Sequence, residues 1–158
     1  MITKEDYATQ KQGIVIKHKG LLDFDNLYKE SKKWFKDREY IFNEIQSQEK
    51  FSELGNFVKI RFEAKRKIDD MTSFNIYVDI IINDMIKAGK KYKVDLSMYV
   101  RAYIDLDFNN KWQSSRLKAF LFFVYINFII RNKIKSVFEN KLFNEVNQYS
   151  DFVKEHFD

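Results

Sequence analysis

Tyr92-Lys93-Val94-Asp95-Leu96-Ser97-Met98-Tyr99-Val100-Arg101-Ala102-Tyr103-Ile104-Asp105-Leu106-Asp107-Phe108 is the stretch on which the fold turns. Tyr92, Val94, Leu96, Met98, Val100, Ala102, Ile104, Leu106 and Phe108 recur at every second position, and all but two of the residues between them are charged or serine. Side chains of a strand point alternately to opposite faces. The stretch therefore reads as a long strand with one apolar and one wet face, and the apolar face requires a covering layer. Residues 114–158 can supply that layer, since they contain no Pro and no Gly, open with an apolar block over 117–130 and read as helix throughout.

Working backwards, the same alternation places strands over residues 13–20 and 40–51, and over the two runs Val58, Ile60, Phe62, Ala64 and Phe74, Ile76, Val78, Ile80, Ile82. Turns at Gly55, Asp69-Asp70 and Gly89 join them. Asp23 offers an N-cap, with Leu22 and Leu27 as a hydrophobic staple, for a helix over 24–39 whose Leu27, Tyr28, Ser31, Trp34 and Phe35 share one face. Short connections favour antiparallel pairing. The expected architecture is α+β: strand, helix, antiparallel strands and a long C-terminal helix, with about five long strands and helices on one sheet face. Straight strands of such length would reach roughly 33 to 56 Å, so strong twist and a bulge in the last strand are expected.

The chain has 158 residues, enough for one domain with one core, with residues 1–12 expected to form a flexible polar N-terminus. A 45% hydrophobic and 17% aromatic composition excludes a disordered chain. The absence of cysteine removes disulfides, thiolate metal sites and cysteine nucleophiles. No apolar leader is seen at the start, and a cytoplasmic protein is expected. The run 117–130 would extend only about 21 Å as a helix, too short for a hydrocarbon core, and is expected to be buried on most sides. A net charge of +5 is a mild excess that gives nucleic-acid binding little support.

No motif fixes a chemistry. Asp105 and Asp107, with Asp95 and Asp79 of the same outward parity, are the strongest candidates for a divalent cation or acid–base pair, but D-x-D lacks the glycine turn of a cation loop. Their simpler reading is a solvated face paired with Lys and Arg. Tyr77, Tyr99, Arg101 and Tyr103 form an outward aromatic and basic surface of the kind enriched at protein interfaces. In the last helix Ile134, Phe138, Leu142, Val146, Tyr149, Val153 and Phe157 make a stripe. If the helix overhangs the sheet, Tyr149, Val153 and Phe157 must be covered by another subunit. His18 and Trp112 are placed at the mouth of any pocket under that helix.

With that element order in place, the layout resembles the helix-grip arrangement of the START-like ligand-binding superfamily. The resemblance implies a space between last helix and sheet for a lipid or other apolar ligand, here crowded by Phe120, Phe122, Phe123, Tyr125 and Phe128. In Lys19-Gly20, Leu22-Asp23, Leu27-Tyr28, Trp34, Lys111-Trp112 and Ile129-Ile130-Arg131 the chain also resembles small α+β proteins of unknown function from archaea. The expected function is a non-enzymatic interaction or assembly protein without cofactor or metal, binding itself or another protein. The alternative is a module for an apolar small molecule.

Overall fold

A computed structural model describes residues 1–9 and 13–157. In chain order the elements are β1 (Glu5–Tyr7), β2 (Ile14–Leu22), α1 (Phe24–Asp37), β3 (Ile41–Lys50), β4 (Asn56–Lys67), β5 (Ser73–Ala88), β6 (Lys91–Asp105) and α2 (Arg116–Val124). A π turn (Tyr125–Ile129), the short α3 (Arg131–Lys133), a second π turn (Ile134–Phe138) and α4 (Glu139–Lys154) complete the chain.

The alternation of β6 is realised without a break. Val94, Leu96, Met98, Val100, Ala102 and Ile104 are buried, and every pairing in the sheet is antiparallel. The sheet runs β1-β6-β5-β4-β3, with β2 on the same edge of β6 as β1. β1 and β2 are thus two pieces of one interrupted edge strand. Gly13 opens the second piece at φ +84°, where an added Cβ would stand 2.4 Å from the Val100 carbonyl oxygen. Only glycine permits that approach. The bulge expected in the last strand lies elsewhere. β5 carries an extra residue near Asp84, at φ 54°, and β3 carries one at Ile45. The extra residue of β5, the strand next to β6, leaves β6 itself continuous, and that of β3 adjusts its pairing with β4.

α1 begins where Asp23 Oδ1 accepts the Asn26 N–H at 3.1 Å, and it buries Phe24, Leu27, Ser31, Trp34 and Phe35. Ridge for ridge it meets α4. Tyr149 sits 4.7 Å from Phe35 and 5.2 Å from Trp34, centroid to centroid, and its hydroxyl donates to Ser31 Oγ at 3.1 Å. Phe62 of β4 closes the same cluster against Phe35 and Phe42. Arg66 of β4 pairs with Glu145 of α4 at 2.9 Å, and Tyr40 donates to the same carboxylate.

Three expectations are corrected here. The N-terminal residues are ordered over 1–9, with β1 paired to β6 and Ile2 buried, because Asn127 binds both backbone groups of Ile2; residues 10–12 lie outside the described residues. The last helix does not overhang. Leu142, Val146, Tyr149 and Val153 are fully buried in this chain, so Tyr149 and Val153 are core residues and not an exposed interface. The helix is also not uniform from 114 onward, since two π turns and a break at Ile130 divide it. Among the described residues no helix is long and apolar enough to cross a membrane.

Tyr149→Asp places a carboxylate in the aromatic cluster with no cation to meet it. The expected outcome is loss of the fold, read as loss of near-UV circular dichroism, with a cost above about 4 kcal/mol. A folded variant that merely changed its oligomeric mass would contradict the buried placement.

Candidate functional site

Sequence places the most apolar segment of the chain directly after the loop that ends the sheet. Ser115 caps α2 by accepting the Lys118 N–H at 3.2 Å. Beyond Phe122 little of α2 is buried, and the core face of the sheet is covered by α1, α4 and the second π turn through Trp34, Phe35, Tyr149, Ile134 and Phe138. The expectation of a helix buried on most sides is therefore reversed. Only Phe122, Ile126 and Asn127 are buried, whereas Leu117, Phe120, Phe128 and Ile129 are each 60% exposed or more. Of the rings expected to crowd the helix–sheet space, only Phe122 is buried. Trp34, Phe35, Phe62 and Tyr149 fill that space instead.

The exposed residues form one face. At about 100° per residue, Leu117, Phe120, Leu121 and Val124 fall within roughly a third of the circumference. A further α-helical turn would carry Ile129 round to the flank. The π turn, closed by the Ile130 N–H on the Tyr125 carbonyl at 3.1 Å, holds about one residue more and brings Phe128 in line with Phe120 and Ile129 with Leu121. It also turns Asn127 inward, where Oδ1 accepts the Ile2 N–H at 2.9 Å and Nδ2 donates to the Ile2 carbonyl at 3.1 Å. The irregularity thus keeps the apolar face continuous and anchors the N-terminal segment beneath it.

At the edge of this face a cavity of about 600 Å³ opens between α2 and the β4–β5 turn, lined by Asp69, Asp70, Met71, Trp112, Leu121, Phe122 and Tyr125. Trp112 is where a pocket mouth was expected. His18 is not. It lies opposite Leu96, about nine residues back along β6 from the end that leads to Trp112, or roughly 30 Å. Its ring stacks on Phe157 at 4.4 Å and its Nε2 meets the Leu21 carbonyl at 2.9 Å. Phe157 accordingly closes the rim of this chain's own core.

Asp105 and Asp107 do not converge on a common point. Asp105 pairs with Lys4 at 2.9 Å. Asp107 has left the outer face and is buried in the loop, where its carboxylate accepts the Lys111 N–H, the Trp112 N–H and the Gln113 side-chain amide at 3.0 to 3.2 Å. It is a loop staple that fixes Trp112 beside the cavity. Among the described residues no cluster of three His, Asp or Glu side chains is placed to hold a metal ion.

The outer sheet face does gather the other candidates. Tyr77 and Tyr103 stack at 5.7 Å, Tyr7 adds a third ring 5.6 Å from Tyr103, and Arg61 and Arg101 both reach Asp79, at 2.5 and 3.5 Å. These side chains line a shallow cleft of about 290 Å³ across the sheet. Tyr99 lies on the same face beside Asp79 but outside the cleft. Burial, then the neighbouring Tyr77 hydroxyl, pushes the Tyr103 phenol up, so it stays protonated. With both guanidinium groups sharing one carboxylate, the cleft is largely self-satisfied.

A further carboxyl is buried at the sheet edge. Asp6 of β1 is buried beside Lys135 at 3.7 Å, and Lys135 also binds Glu139 at 2.8 Å. Burial foremost, then hydrogen bonding and repulsion from Glu139, pushes the Asp6 carboxyl up to about 7, with Lys135 opposing. Comparison of the chain with protein-family models, with curated proteins and with solved structures finds no match. The reading of function therefore rests on these surfaces.

The Asp6 carboxyl yields a pH dependence with a definite sign. Between about pH 4 and 7 the folded state keeps a proton that the unfolded chain releases, so stability falls as pH rises through that window. Asp6→Asn, which stays neutral, is expected to raise stability by about 1 to 2 kcal/mol at pH 8 and by nothing near pH 4. Thermal unfolding at the two pH values checks it, and an equal change at both would contradict the assignment.

Proposed function

We propose that this chain is a non-enzymatic docking protein whose working surface is the apolar face of α2 and its π turn. The observation that carries the reading is the exposure of Leu117, Phe120, Phe128 and Ile129 on a segment that is apolar around nearly its whole circumference. A helix of that composition is ordinarily covered on all sides. An exposed apolar area of this kind, continuous along a helix, marks a contact surface. The interface expected at the end of α4 moves to the start of the helical region.

A double substitution, Phe120→Ser with Phe128→Ser, separates docking from folding. Both rings are largely exposed, so the melting temperature is expected to stay within about 2 °C, in line with the small cost of surface changes. Binding of a hydrophobic fluorescent dye and retention on a phenyl resin are expected to fall sharply. A variant that unfolds early would show that these rings hold the domain together, and the reading would fail.

The cavity beside Trp112 favours a second reading, a site for an apolar small molecule, since Met71, Trp112, Leu121, Phe122 and Tyr125 give it a mostly apolar wall. On that reading, native mass spectrometry of freshly purified protein shows a few hundred extra daltons that a Trp112→Ala variant loses. A bare mass for the wild type counts against it.

A further inference from the structure

Residues 108–138 contain six basic side chains, Lys111, Arg116, Lys118, Arg131, Lys133 and Lys135, and no acidic one. This is the segment that carries the exposed apolar face. On the helical wheel Arg116 and Lys118 flank the face from opposite sides, and all but Lys135 lack an ion pair among the described residues. Two carboxylates, Asp69 and Asp70, line the cavity at the edge of the face, and the Asp70 side chain is fully exposed. Asp69 Oδ1 accepts the Met71 and Thr72 N–H groups at 2.9 and 2.7 Å, and Asp70 pairs with Lys67 at 3.5 Å.

From this juxtaposition of an apolar stripe with unpaired cations on both flanks, we infer that α2 and its π turn dock on an anionic lipid bilayer interface. The inference rests on the docking reading and names its partner. A second copy of the chain fits the face less well, because a two-fold contact would bring together the Arg116, Lys118 and Arg131 clusters of both copies, with only Asp69 and Asp70 of each at the margin. An anionic interface meets both properties at once. Phe120, Phe128, Leu117 and Ile129 enter the boundary between headgroups and acyl chains, while Arg116, Lys118 and Arg131 stay among the phosphates. Trp112 and Tyr125, each with one polar atom, sit at the margin of the face, the position such rings take at a membrane–water boundary. The segment lies on the bilayer and does not span it, in keeping with its length.

Co-sedimentation with phosphatidylglycerol vesicles and with phosphatidylcholine vesicles tests the inference on the full chain. Wild type is expected to partition onto the first at low salt and at least tenfold less onto the second, with binding weakening as salt rises. Lys118→Glu with Arg131→Glu is expected to lower partitioning by at least about 25-fold, roughly fivefold per cation, with an unchanged melting temperature. Phe120→Ser with Phe128→Ser is expected to abolish it.

Equal binding to both vesicle types, or none to phosphatidylglycerol, overturns the inference. If vesicles are ignored while dye binding is still lost in the Phe120/Phe128 variant, the lipid partner is wrong and the docking reading stands, with an acidic protein surface as its object. If dye binding is unchanged as well, both readings fail.

Discussion

Register in the middle of the sheet is the constraint on which the molecule depends. β6 touches β1 and β2 on one side and β5 on the other, and its alternation leaves one acceptable pairing with each. A slip by one residue would carry Leu96, Met98 and Val100 into water and bring Asp95, Tyr99 and Arg101 against α4. The bulge in β5 and the interruption between β1 and β2 are the adjustments that let neighbours follow a long twisted strand without disturbing it. Gly13 shows how close the fit is, since its backbone passes Val100 at a distance no side chain tolerates.

Once that face is fixed, its cover is limited. α1 and α4 meet over the sheet through Trp34, Phe35 and Tyr149, and Ile134 and Phe138 of the second π turn extend that cover to Phe74 of β5. The apolar segment that precedes α4 is therefore left over the end of the sheet, held by Phe122, Ile126 and the Asn127 clamp on Ile2. Its exposed face follows from how the sheet is covered. The outer sheet face, by contrast, spends its charges internally, with Asp79 shared by two arginines and the tyrosines stacked on one another.

Most of the fold was legible because alternation and helical spacing report directly on burial. The succession of elements along the chain, the Asp23 cap and the face of α1 could be read from residue types alone. The N-terminal strand could not, since Glu5–Tyr7 is too short to show a period and its partner Asn127 lies 125 residues from Ile2. The apolar run 117–130 misled for a related reason. Hydrophobicity tells that a helix needs covering but not whether its own chain has covering left to give. The signal that was present is the charge pattern, six cations and no anion between Asp107 and Glu139, which is unlike the mixed charges of α1, α4, β4 and β6. The interface expected at Tyr149 and Val153 failed because a core stripe and a docking stripe have the same spacing, and only the length of the sheet beneath decides between them.

The Asn127 clamp and the edge strand have a consequence for how the chain assembles. Among the described residues β1 and β2 pair with β6 alone and Ile2 pairs with Asn127, so these segments depend on partners far later in the chain. On a ribosome, at roughly 5 to 20 residues per second, β2 stays unpaired for some seconds before β6 emerges. Charge at Lys17 and Lys19 disfavours pairing with a wrong neighbour in that interval, as it does afterwards along the free edge of the finished sheet.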